Sequence, residues 1–162
     1  MEGYFDLVVE RLTAAGYRWY ETANFCLAAD HAGGRDLRAQ HNLAYWLGRD
    51  YLGLGLGAVS TLGDERRRNT PRLKAYVTAL ASGEAPPREV EPLDEPTRDQ
   101  ERLMLGLRLD TPLELNGLAT LVDDDACERL ASAGMLVREN GSLVLSERGR
   151  FLANDVVASV LR

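Results

Sequence analysis

Apolar residues recur at helical spacing in the first segment: Phe5, Val8, Val9 and Leu12 line one side of Tyr4–Ala15, and Gly16 stands where a left-handed residue ends a helix. Tyr17-Arg18-Trp19-Tyr20 then alternates rings and polar groups, which predicts a short strand. Asn24 to Arg38, with Gly33-Gly34 inside it, reads as a loop. In Leu52-Gly53-Leu54-Gly55-Leu56-Gly57 leucine and glycine alternate with period two. That spells a buried strand with one bare face against which another backbone packs. Asn69 to Leu80 predicts a helix capped by Asn69 or Thr70, with Pro71 at its first position and Leu73, Tyr76, Val77 and Leu80 on its apolar side. Residues 81–96 are rich in proline and acid and lack periodicity, so they read as a linker.

Past the linker, Thr97–Leu109 predicts a helix apolar over much of its circumference, Leu113–Leu121 a short helix, and Asp123–Ala133 a third with acids at its N-terminus, where the helix dipole favours them. Met135–Arg138 and Leu143–Leu145 flank an Asn140-Gly141 turn, the strongest hairpin signal in the chain. Arg148–Leu161 closes as a helix. The expected architecture is α+β: an α/β segment over residues 1–80, a linker over 81–96, and a winged helix-turn-helix over 97–162.

Composition narrows the function classes. The chain has 162 residues, 45% hydrophobic and 27% charged, as globular domains do, and a net charge of -6 that argues against a general basic field for nucleic acid. The helix that a DNA-binding winged helix would present begins Asp123-Asp124-Asp125, which repels phosphate, and Arg148 and Arg150 do not reverse this. A packing or protein-interaction module is favoured over DNA binding. No apolar run approaches the length that spans a bilayer, and no leader pattern opens the chain. Cys26 and Cys127 stand far apart with no metal or disulfide spacing, which fits a reducing cytoplasm.

Several groups carry candidate chemistry. Gly53 to Ala58 fits the spelling of a dinucleotide loop, but Val59-Ser60-Thr61-Leu62-Gly63 follows as strand and turn, where such a loop needs a helix. His41, Asn42, Tyr45 and Trp46 gather a metal-capable imidazole, an amide and two rings. Arg66, Arg67 and Arg68 form the one basic cluster, read as a solvated turn or a partner for carboxylates, Glu21 beside Asn24 is a candidate polar pair, and His31 is expected to face solvent.

The runs YRWYETANFC, QHNLAYWLGRDYLGLGLGAVSTLGDERRRNTPRLKAYVTAL, ERLMLGLRL and GMLVRENGSLVLSERGRFLANDVV, in that order from about Tyr4 to Leu161, closely resemble the C-terminal portion of the radical S-adenosylmethionine family of oxygen-independent coproporphyrinogen III oxidases. The H-N-x-x-Y-W signature resembles the heme-chaperone branch. The resemblance implies heme or porphyrin binding by His41, Asn42, Tyr45 and Trp46, with His41 able to ligate heme iron and Asn42 fixing its tautomer. It also implies an approach to S-adenosylmethionine at Gly57, Ala58 and Val59 at the edge of a complete barrel. One departure stands out: the family's C-x-x-x-C-x-x-C run, which holds a [4Fe-4S] cluster, is not in this sequence, so no radical chemistry is expected of this chain alone. The chain reads as the tail of a longer protein or a truncated relative. Its expected partners are the remainder of a barrel, a partner protein, or a second copy joined through strand edges. The alternative function is an interaction or lid module with no ligand of its own.

Overall fold

The computed structural model describes residues 2–162 and is a mixed α/β structure. By their contacts the described residues form two compact units, residues 2–47 with 99–162, and Gly48–Arg98.

In the first unit, helix α1, Glu2–Ala14, ends at Gly16, whose φ of +83° reverses the chain into strand β1, Tyr17–Glu21. β1 pairs antiparallel with β2, Asn24–Leu27, so the segment expected as a loop begins as the second arm of a hairpin. Its register slips between Trp19 and Glu21, which re-aims the Glu21 side chain. Phe5, Trp19, Phe25 and Phe151 then form one ring cluster, with Trp19 and Phe25 stacked at 6.0 Å and Phe151 5.0 Å from Trp19. These contacts bind α1 and the hairpin to the C-terminal part of the same unit. Helix α2, Gln40–Trp46, follows the loop.

The second unit opens with the glycine run, and here the expected strand is absent. Gly55 and Gly57 adopt φ of +109° and +67°, which a strand does not contain, and Leu52, Leu54 and Leu56 are 65%, 84% and 46% exposed. Only Gly53 makes the close backbone approach foreseen for the whole run: a Cβ there would sit 2.1 Å from the Val59 carbonyl oxygen. Strands β3, Val59–Leu62, and β4, Glu65–Asn69, form a hairpin, and β4 pairs with β5, Arg88–Pro92. The stretch expected as linker therefore contributes a strand. Its register sets Glu91 opposite Arg66 and Glu89 opposite Arg68, so cross-strand charge supports the pairing. Helix α3, Leu73–Ala81, starts later than expected because Asn69 closes β4, while Thr70 Oγ1 accepts the Arg72 N–H at 3.2 Å.

Helix α4, Glu95–Gly106, leads back into the first unit, whose main core joins Leu103, Leu107, Leu118, Val122, Leu143 and Val160, all almost wholly buried. Instead of the short helix expected over Leu113–Leu121, Leu113–Glu114 forms strand β6 and Ala119–Leu121 a 3-10 turn. Helix α5, Asp124–Ser132, is capped by the Asp123 side chain, which accepts the Ala126 N–H at 2.8 Å. Strands β7, Leu136–Glu139, and β8, Ser142–Leu145, join through Asn140 and Gly141, both at positive φ as a tight hairpin turn requires, and β6 pairs on the far side of β8. The closing helix is two helices, α6, Glu147–Phe151, and α7, Ala153–Val160, broken at Leu152.

Candidate functional site

Helix α2 is placed from below. The Ala39 N–H just ahead of it donates to the Tyr20 hydroxyl at 3.2 Å, and Leu43 packs with Tyr20, Cys26 and Leu109 in a small second core. Positions four apart share a helix face. His41 and Tyr45 accordingly lie together, ring centroids 4.9 Å apart and edge to face, with His41 exposed. Asn42 and Trp46 share another face. Asn42 is thus turned away from the imidazole whose tautomer it was expected to fix, and Trp46 packs against the small core. The signature is split by the helix into an outer pair and an inner pair.

Beneath the inner pair runs a chain of polar contacts. Glu21 is 1% exposed, and its carboxylate accepts from the Asn24 amide at 2.6 Å, the Ala23 N–H at 3.1 Å and Arg108 Nε at 3.0 Å. Burial pushes its pKa upward, but these hydrogen bonds and the Arg108 charge outweigh it and leave the group below its ordinary value. The Arg108 guanidinium in turn lies 4.6 Å from the Trp46 ring centroid. Two residues on, Asp110 accepts two hydrogen bonds from Arg18, at 2.6 and 2.8 Å, while its N–H donates to the Tyr20 carbonyl. Glu21 and Asn24 were legible as a polar pair. Arg108 and Asp110 were not, because their partners lie some 90 residues earlier and no local pattern joins them.

The remaining sequence candidates fall elsewhere. Gly57, Ala58 and Val59 lie in the second unit. There the Gly57 N–H donates to the Thr70 carbonyl and the Ala58 carbonyl accepts from Asn69, so much of that backbone is already engaged. Arg66 pairs with Glu91 at 3.3 Å and Arg67 with Glu65 at 2.6 Å on the strand expected as a turn. His31 is exposed, its Nδ1 2.9 Å from Asp30, and its ring covers the backbone of Gly16 so closely that a Cβ there would lie 2.8 Å from it. Arg150 donates to the Trp19 carbonyl and lies 4.0 Å over that indole; burial lowers its pKa from the ordinary value. Arg148 donates to the Ala133 carbonyl at 3.2 Å.

Cys26 and Cys127 are both buried, and burial raises both thiols, the reverse of what a thiolate ligand needs. Among the described residues no group of three or more His, Cys, Asp or Glu could hold a metal ion. The residues present do not fit an iron–sulfur cluster. Nor, among them, is any helix long and apolar enough to cross a membrane.

Residues 93–152 match the family model of the HemN C-terminal domain. Over 97% of its length the chain is 34% identical to the heme chaperone HemW of Mycobacterium tuberculosis (strain H37Rv) and 27% identical to that of Bacillus subtilis (strain 168), covering 38% and 41% of those proteins. Its fold matches the solved structure of coproporphyrinogen III oxidase (HemN) from Escherichia coli, described as a radical SAM enzyme, with a TM-score of 0.67 at 19% identity, over 96% of this chain and 39% of that one. The chain thus spans about two fifths of the length of the proteins it matches.

Proposed function

This chain carries a HemN C-terminal domain and is similar to heme chaperones along nearly its whole length, and from that premise we propose that it contributes a tetrapyrrole contact to a longer heme-handling protein. The observation that carries the reading is the pairing of the exposed His41 with the half-buried Tyr45 on one face of α2. An exposed imidazole offers a nitrogen to heme iron, and an aromatic neighbour one turn away offers a flat apolar surface to the macrocycle. Asn42 and Trp46 serve the same contact from the inner side, by holding the helix rather than by touching the ligand. A rigid, pinned helix is what a single axial ligand needs, since its direction is then fixed before the heme arrives.

In the longer protein the cluster and S-adenosylmethionine belong to the part that this chain does not include. Gly57 and Ala58 approach the latter from the turn that leads into β3, and Val59 from the first position of that strand. Residues 97–162 are read as a winged helix-turn-helix in which β7 and β8 are the wing, used for packing rather than for DNA. A second reading, an interaction module without a ligand, is favoured by Leu52, Leu54 and Leu56, which stand exposed on the glycine turn.

The test is a heme titration followed by absorbance on the chain and on His41→Ala. The expected result is a saturable Soret shift that the substitution removes. The same spectra for both proteins would end the proposal and leave the interaction reading.

A further inference from the structure

α2, α4 and α7 enclose a cavity of about 330 Å³, lined by Trp46, Met104, Leu105, Arg108, Val157 and Leu161, with Ala158 at its exposed edge. At about 30 Å³ for each water-sized volume it takes roughly eleven such volumes, close to the number of non-hydrogen atoms in a ten-carbon carboxylate and far fewer than in a tetrapyrrole, and it lies on the side of α2 away from His41. Its walls are mostly aliphatic, with Asn154 as a further polar lining residue, and one end is charged. There the Arg108 guanidinium lies over the Trp46 indole, and Trp46 Nε1 is buried with no hydrogen-bond partner. A buried donor without an acceptor is costly and rare. Arg108 uses Nε and Nη2 on Glu21, which leaves Nη1 as a second donor at the same end.

We propose that this cavity binds a medium-chain aliphatic carboxylate. The chain lies along Met104, Leu105, Val157 and Leu161, and the two carboxylate oxygens take the Trp46 N–H and Arg108 Nη1. Met104, 42% exposed and unbranched, is the wall that moves to let the head group reach the indole. Donors are in excess at the polar end, so a head group must accept. A carboxylate matches two donors with two oxygens, whereas an amine adds further donors beside a guanidinium. This inference does not rest on the tetrapyrrole reading.

Titration calorimetry with decanoate, decan-1-ol and decylamine, each below its micellar range, tests it. Decanoate is expected to saturate at one per chain, decanol to bind at least tenfold more weakly, and decylamine to give no saturable heat. Ala158→Phe fills the cavity from an exposed position and is expected to weaken decanoate at least tenfold. Trp46→Phe removes the N–H and is expected to weaken it about threefold, while His41→Ala leaves it unchanged; circular dichroism checks that each variant is folded. No saturable heat with decanoate, equal affinity for the amine or the alcohol, or unchanged binding by folded Ala158→Phe would overturn the proposal.

Discussion

Glu21 shows how one residue governs the placement of the candidate site. It is a nearly fully buried carboxylate, tolerable only because Asn24, the Ala23 N–H and Arg108 meet it from three directions. Glu21→Gln keeps the shape but strands the Arg108 charge. A loss of about 2 kcal/mol is expected, below the roughly 3–5 kcal/mol of a fully buried pair because Arg108 keeps some contact with water. The pH dependence follows from the depressed pKa. The carboxylate is ionised in the folded chain down to a lower pH than in the unfolded one, so its contribution is complete above the ordinary value of 4.5 and disappears as the pH falls through the folded value. Urea midpoints measured from neutral to acid pH should therefore fall more steeply for the parent chain than for Glu21→Gln. Parallel acid limbs would show that the pair carries none of that stability.

At the scale of elements, α5 and α6 are both begun by side-chain caps, yet they depend on different things. Asp123→Ala removes one cap hydrogen bond and should cost about 1 kcal/mol. Gly149→Ala should cost about 3 kcal/mol, since its Cβ would fall 1.8 Å from the Met135 carbonyl oxygen and force α6 off the start of β7. Thermal unfolding of the two variants, expected to rank in that order, checks both. α1, α5 and the Asn140-Gly141 hairpin were legible in the sequence, because each is specified by residues within a few positions of one another, whereas the Asn69 or Thr70 cap read for α3 gave way to an N-cap at Arg72. The glycine run misled for a definite reason: period-two alternation is the signature of a strand, but Gly55 and Gly57 serve positive φ, which alternation does not reveal. β5 was hidden because all five of its residues are exposed and its partner is chosen by Arg–Glu register across some 20 residues. The candidate site was legible in its residue types and not in its geometry. The H-N-x-x-Y-W spelling names four residues, and only the helical turn separates His41 and Tyr45 from Asn42 and Trp46.

The two compact units differ sharply in what holds them together. The first has a core of leucine and valine side chains from α4, α5, β7, β8 and α7, and a second small core under α2. In Gly48–Arg98 only Ser60 and Leu93 are buried, α3 buries no residue, and Leu73, Val77 and Leu80 stand exposed on it. Its order rests on the β3–β4–β5 hydrogen bonds, the Tyr51–Thr61 bridge and cross-strand ion pairs. Surface ion pairs contribute little, and backbone hydrogen bonds open to water are easily exchanged for water. The units should therefore open separately. In native-state hydrogen exchange, amides of β3, β4 and β5 are expected to exchange through a local opening at least tenfold faster than those of β7 and β8, whose opening requires loss of the main core. Added urea should accelerate the second group much more steeply than the first, because the surface exposed in its opening is larger. Equal protection and equal urea dependence would mean that one cooperative transition covers both units, and that the exposed leucines of the second carry no penalty in stability.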